Sequence, residues 1–109
     1  MEIAAKFASE VCKGWQEDDF NRLDSDRTTP ELAQSLTPEK QEQIFVDQIF
    51  PVFGRFGQLY YKEAYSSGNK TIFRFKGAYE KGTPEIRVVI DKNDKVAGFW
   101  IRPWIDELS

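Results

Sequence analysis

The sequence predicts an α+β domain in which three N-terminal helices pack on one face of a four-stranded antiparallel meander sheet. Apolar residues recur at helical spacing from residue 3 to residue 15. Two Thr-Pro pairs further along the chain each place an N-cap residue before a proline that suits the first helical position. Near the C-terminal end, two apolar runs flank a turn-forming segment, which is the pattern of a β-hairpin. Helices followed by strands indicate an α+β architecture.

The helices are predicted from periodicity and capping. The apolar stripe of the first helix ends at Trp15. The acidic run at residues 17–19 favours a second, short helix, because carboxylates suit a helix N-terminus. The pair Thr37-Pro38 opens the longest later helix, in which we expect a kink or an end at Pro51. The inner face predicted for this helix comprises Ile44, Phe45, Gln48, Ile49, Val52 and Phe53.

From residue 58 onward the pattern changes to that of strands. In the second strand Phe73, Phe75 and Tyr79 alternate with charged side chains, so one face of the sheet should be buried and the other wet. The fourth strand is apolar on both faces, and we expect Trp100, like Trp15, to lie at the interface between helices and sheet. The predicted strands cover residues 59–65, 71–79, 86–90 and 96–101.

Composition excludes several classes of protein. The chain of 109 residues suits a single domain, residues 1–109, and no apolar stretch approaches the roughly 20 residues of a membrane span. The net charge of −3 and the pI of about 5.0 leave no basic field for nucleic acid. The chain has no His, a single Cys, no phosphate-cradling glycine loop and no metal-ligand spacing. We therefore expect no cofactor and no metal.

Charge is distributed unevenly along the chain. Residues 1–57 carry a net charge of −5, whereas residues 58–109 carry +2. Within the predicted sheet, Arg74, Lys76 and Arg87 point to the polar face. They form either a weak basic face or an ordinary solvated surface.

Cysteine usage does not identify the compartment. Cys12 has no partner for an internal disulfide, and its place on the apolar stripe of the first helix is more typical of a small buried hydrophobe than of a reactive thiol. No signal-peptide pattern precedes the first helix. We expect a cytoplasmic protein, or an extracytoplasmic one from which a leader has been removed.

The order of these features resembles a known family. The residues that carry the resemblance are Trp15, Asp18-Asp19-Phe20, Gly54-Arg55-Phe56 and the strand segments 75–80, 86–91 and 95–99. Over about residues 3–104 the chain is similar to a small bacterial domain of unknown function in the nuclear transport factor 2-like, or cystatin-like, superfamily. Its members are often secreted or lipid-anchored and often precede a serine hydrolase domain. Where the family usually has a glycine in the last hairpin turn, this chain has Asp94, which tolerates left-handed backbone.

The resemblance implies a cone formed by a curved sheet and its helices, and two classes of function. Superfamily enzymes place an Asp base, or a His and Asp pair, with tyrosines inside the cone. Since this chain lacks His, an isomerase- or dehydratase-type site would combine Asp47 with Tyr60, Tyr61 or Tyr65. We expect instead an exposed Asp47 and tyrosines that pack in the core. The domain is then a non-catalytic binding or interaction module, which holds a small apolar ligand, docks to a partner through its sheet, or acts as an accessory to a hydrolase.

The aromatic side chains suggest where such a module binds. They either line a small apolar pocket or form packed core. Because superfamily members commonly dimerise through the exposed sheet face, the resemblance also implies a homodimer, favoured by the large side chains of Tyr79, Trp100 and Trp104. The candidate ligand-binding residues are Trp15, Tyr61, Phe75, Trp100 and Trp104.

Overall fold

The computed structural model describes residues 2–21, 23 and 26–103, and its architecture is the α+β arrangement that the sequence predicts. The helical segments are α1 (Glu2–Gln16), α2 (Pro30–Ser35), α3 (Pro38–Ile44), a π-helical turn (Phe45–Ile49) and α4 (Phe50–Phe53). The strands are β1 (Phe56–Ser67), β2 (Lys70–Tyr79), β3 (Glu85–Ile90) and β4 (Val96–Arg102). Neighbouring strands pair antiparallel in the order β1-β2-β3-β4, which confirms the predicted meander.

The first helix ends in a closed turn and does not lead into a second helix. Asp19 N donates to Gly14 O at 2.8 Å, and Asp18 N donates to Trp15 O at 3.3 Å, with Asp18 at a φ of 60°. These two bonds satisfy the last carbonyls of α1 as a Schellman motif does. The short helix predicted from the acidic run at residues 17–19 is therefore wrong, because those residues cap α1.

Both Thr-Pro pairs start helices, as predicted. The hydroxyl of Thr29 accepts a hydrogen bond from Leu32 N, and that of Thr37 accepts one from Lys40 N, each at 3.2 Å. The helical run that α3 begins ends at Gly54, whose φ of 76° suits the residue after a helix. Among the described residues no helix is long and apolar enough to cross a membrane.

The predicted irregularity near Pro51 takes the form of the π-helical turn. Proline has no N–H to donate to the carbonyl four residues earlier, and just before it the ladder shifts so that Phe50 N donates to Phe45 O. The wider turn rotates the helix surface that follows. Phe45, Ile49 and Phe53 face the core, whereas Gln48 and Val52, which were predicted to face inward, are exposed.

Three β-bulges bend the sheet. The register of β1 against β2 shifts around Gly57 and Lys62, and that of β4 against β3 shifts at Ala97. A bulge inserts one residue and so reverses which face the following side chains occupy. The β3–β4 turn is held by the Asp91 carboxylate, and Asp94 adopts the left-handed conformation expected of it, with a φ of 63°.

The core lies between the helices and one face of the sheet. Trp15 is 2% exposed, and its ring makes edge contacts with Phe45 and Phe99 at centroid distances of 6.0 and 6.1 Å. Its Nε1 donates to the buried side chain of Gln41 at 3.0 Å. The placement of Trp15 at the interface between helices and sheet is therefore confirmed.

The same prediction for Trp100 is wrong. Val96 is fully buried toward the helices, but the bulge at Ala97 reverses the alternation, so Phe99 faces α1 and Trp100 points to the opposite face. Trp100 is 52% exposed. Tyr79, predicted to add exposed apolar surface, is instead buried against Phe53.

Candidate functional site

The candidate ligand-binding residues do not converge on one pocket. Trp15 and Phe75 are core residues, and the ring of Tyr61 lies 6.0 Å from that of Phe75 at the edge of the helix-covered face. Trp100 lies on the other face of the sheet, and Trp104 lies outside the described residues. The structure thus brings two of the five together, Tyr61 and Phe75.

These two residues line an open groove between α1 and β1, here called the α1–β1 groove. Its volume is about 530 Å³. Leu59, Tyr61 and Phe75 supply apolar surface, and Ser9 and Lys13 of α1 supply polar groups. This volume and the mixture of apolar surface with a few polar groups are typical of small-molecule sites.

The groove exists because of how β1 is built. The bulges at Gly57 and Lys62 set the orientation of the strand beside α1, and a side chain at Gly57 would meet the backbone carbonyl of Ala78 at 2.9 Å. The side chain of Tyr61 remains 48% exposed there. An accessible aromatic ring beside a buried one, Phe75, gives the groove an apolar wall that a ligand can reach.

A second feature lies on the outer face of the sheet, the face turned away from the helices, to which the sequence assigned Arg74, Lys76 and Arg87. Glu85 at the start of β3 has no exposed surface, although its side chain points away from the helical core. Its Oε2 accepts hydrogen bonds from the Nε atoms of Arg74 and Arg87, both at 2.9 Å, and its Oε1 accepts one from Nε of Arg102 at 3.2 Å. Arg74 also forms an ion pair with Glu63. We call these five residues the arginine cluster.

The register of the sheet builds this cluster. Glu85 stands opposite Lys76 on β2 and Arg102 on β4, while Arg74 stands opposite Arg87. Burial by itself raises the pKa of Glu85, but the hydrogen bonds from the three guanidinium groups outweigh burial and hold that pKa below its usual value. Glu85 is therefore a carboxylate that remains ionised. Alternation in β3 placed it on the polar face, but nothing in the local sequence indicated that three arginines would bury it.

Trp100 borders the cluster. It stands opposite Arg87 across the β3–β4 pairing, and its indole lies over Gly98. A Cβ atom at Gly98 would come within 2.5 Å of the indole ring and 3.3 Å of Val89, so the glycine makes room for the ring. The result is a half-exposed aromatic surface beside an arginine-rich centre.

The residues proposed for an isomerase-type site do not form one. Asp47 is exposed on the π-helical turn, as expected. Tyr60 and Tyr65 pair with Lys76 and Ile72 on the outer face of the sheet. Both are exposed, as is Tyr61, so the expectation that these tyrosines pack in the core is wrong. Tyr61 is the one tyrosine of the three that lines the α1–β1 groove, and no carboxylate is among the residues that line this groove with it.

Cys12 is a free cysteine that is fully buried in the folded protein. Burial raises the pKa of the Cys12 thiol to about 12, more than its hydrogen bond with Tyr79 lowers it. Burial likewise raises the pKa of the Tyr79 hydroxyl. Over the described residues, no group of His, Cys, Asp and Glu side chains is arranged to hold a metal ion.

Comparison with family models, with curated proteins and with solved structures returned no significant match.

Proposed function

We propose that the protein is a non-catalytic binding module that holds a small apolar ligand in the α1–β1 groove. The observation that carries the proposal is the pairing of exposed Tyr61 with buried Phe75 and partly buried Leu59 along one wall of the groove. Apolar surface in a concave site is released from water when a ligand binds, which is the main source of affinity for such ligands.

The polar lining indicates which apolar ligands fit best. Lys13 lines the groove from α1, together with Ser9 of the same helix. A single cation beside an apolar wall suits a molecule with an apolar body and one anionic end group. Medium-chain fatty acids have that chemistry and can be compared directly with the corresponding alcohols.

Titration with sodium octanoate tests the proposal. We expect octanoate, and more weakly octanol, to shift the amide resonances of residues that line the groove. Ala5 lines the groove from α1, so Ala5→Leu should fill it and abolish the shifts. Val46→Leu is the matched control, because Val46 is 53% exposed on the helical layer and is not among the residues that line the groove. Shifts that persist in Ala5→Leu, or an absence of shifts in the wild type, would refute the proposal.

The enzyme alternative lacks support from the described carboxylates. An isomerase- or dehydratase-type base needs a carboxylate with a raised pKa beside a tyrosine donor. Glu85 is the buried carboxylate among the residues described, and its pKa is lowered. Asp47 is exposed. Both observations favour binding over catalysis.

We further propose that the sheet and helices form the cystatin-like cone of the family that the sequence resembles. The bulges in β1 and β4 support this, because bulges increase the bend of a sheet. The homodimer expected through the outer face also stays a prediction. Exposed Trp100 favours it, but a symmetric contact would oppose Arg87 and Arg102 to their own copies. Light scattering that detects only the 12.7 kDa species at high micromolar concentration would rule the dimer out.

A further inference from the structure

We infer that the arginine cluster is a second binding site, which takes a carboxylate from an acidic segment of a partner protein while Trp100 receives an apolar side chain of the same segment. This site lies on the outer face of the sheet, away from the α1–β1 groove, and the inference does not depend on the function proposed for the groove.

The hydrogen bonds to Glu85 leave part of each guanidinium group available. Each of the three arginines bonds to Glu85 through its Nε atom. A guanidinium has five N–H donors, so bonding through Nε leaves the two Nη groups available. Within the described residues, the Nη groups of Arg87 and Arg102 have no hydrogen-bond partner. Glu85 therefore acts as a positioning residue that fixes two guanidinium groups and leaves their Nη donors available.

The five side chains of the cluster have an excess of positive charge. Three are arginines and two are the carboxylates of Glu85 and Glu63, so together they carry one more positive than negative charge. Glu63 pairs with Arg74, which leaves the excess on the side of Arg87 and Arg102. Arg74 and Arg87 also stand directly opposite each other across two strands, where like charges are destabilising. An added carboxylate would neutralise the excess and could bond to either guanidinium in bidentate geometry.

The possible occupants of the cluster differ in charge and in apolar surface. A second copy of this chain would bring the same excess of positive charge against itself, which opposes binding through this face. A small inorganic anion would use the guanidinium groups but would leave Trp100 uncovered. An acidic segment that alternates carboxylates with apolar side chains complements both the charge of Arg87 and Arg102 and the 52% exposed indole. Aromatic and arginine side chains are also the types that contribute most at protein interfaces.

Two variants and a matched control test the inference. The probe is a capped pentapeptide that alternates glutamate and phenylalanine. Its binding is monitored by the Nε–Hε resonances of Arg87 and Arg102 and by calorimetry. We expect Arg87→Gln and Arg102→Gln each to weaken peptide binding about tenfold or more. Arg55→Gln removes the same charge from an exposed arginine outside the cluster and should leave binding unchanged. Urea melts establish that each variant is folded; if Arg87→Gln does not fold, Arg102, whose side chain is 48% exposed, decides the outcome.

Further peptides and one inorganic anion separate the occupants. A peptide with glutamine in place of glutamate should not bind. A peptide with alanine in place of phenylalanine should bind the wild type more weakly than the phenylalanine peptide does, whereas Trp100→Ala should bind these two peptides equally. Equal affinity of wild type and Arg102→Gln for the glutamate peptide would overturn the inference. It would also be overturned if inorganic phosphate bound the same resonances as tightly as the peptide, or if sedimentation showed a dimer that Trp100→Ala dissociates.

Discussion

Replacing Trp15 with alanine should be the most damaging single truncation in the core. The side chain is 2% exposed and contacts three phenylalanine rings, those of Phe20, Phe45 and Phe99. Removing a buried tryptophan costs about 3 to 5 kcal/mol of unfolding free energy. The change also leaves the buried amide oxygen of Gln41 without its donor, which adds about 1 to 3 kcal/mol. The sum is comparable to the total stability of about 5 to 15 kcal/mol of an ordinary domain.

Two further variants separate these contributions. Trp15→Phe keeps an aromatic ring but loses the N–H, so it should lose mainly the hydrogen bond to Gln41. Trp100→Ala is the matched control, because the same side chain is truncated where it is 52% exposed. Burying a large apolar side chain completely is worth about 1.5 to 3 kcal/mol, so losing a half-exposed one should cost about 1 kcal/mol.

Urea melts monitored by far-ultraviolet circular dichroism give the free energies of unfolding. We expect the order Trp15→Ala, then Trp15→Phe, then Trp100→Ala, from most to least destabilised. If Trp15→Phe and Gln41→Leu together lower the free energy of unfolding by less than the sum of the two single changes, the hydrogen bond between these side chains is confirmed. A midpoint for Trp15→Ala equal to that of Trp100→Ala would refute the assignment of the two rings to opposite faces of the sheet.

Glu85, Cys12 and Gly98 each provide a further test. The pKa of Glu85 is lowered in the folded protein, so its ionised form contributes stability above the ordinary glutamate pKa of about 4.3, and this stability is lost as pH falls below that value. The free energy of unfolding of Glu85→Gln should therefore change less with pH in the acid range than that of the wild type. Parallel plots of unfolding free energy against pH would contradict this. Burial raises the pKa of the Cys12 thiol to about 12 in the folded protein, so as pH rises above about 8.5 the thiol loses its proton in the unfolded protein first. The free energy of unfolding should then fall by up to about 1.4 kcal/mol per pH unit. Urea melts from pH 8 to 10 should show this fall in the wild type and not in Cys12→Ala. Gly98→Ala should displace the indole of Trp100 at a cost of about 1 to 3 kcal/mol, and an unmoved indole N–H resonance would contradict the contact.

Local chemistry along the sequence determined most of the elements. The apolar stripe of α1, the two Thr-Pro caps and the order of the four strands are all encoded by neighbours a few residues apart, and each is found where predicted. Asp94 was also predicted, because its tolerance of left-handed backbone depends on the residue itself. Tyr61 and Phe75 were predicted as site residues from their aromatic character, and they line the groove that we propose as a binding site.

Only the tertiary structure decided which faces the side chains occupy and which charges meet. A single extra residue at Ala97 reverses the alternation of an otherwise apolar strand, so the inward position passes from Trp100 to Phe99. The acidic run after α1 caps that helix because hydrogen bonds to carbonyls of the preceding turn are available. Burial of Glu85 depends on Arg87, two residues along the same strand, and on Arg74 and Arg102, which the register of β3 with its two neighbours brings beside it from 11 and 17 residues away. Periodicity reports the neighbours along a strand, whereas a site of this kind is made of neighbours across strands.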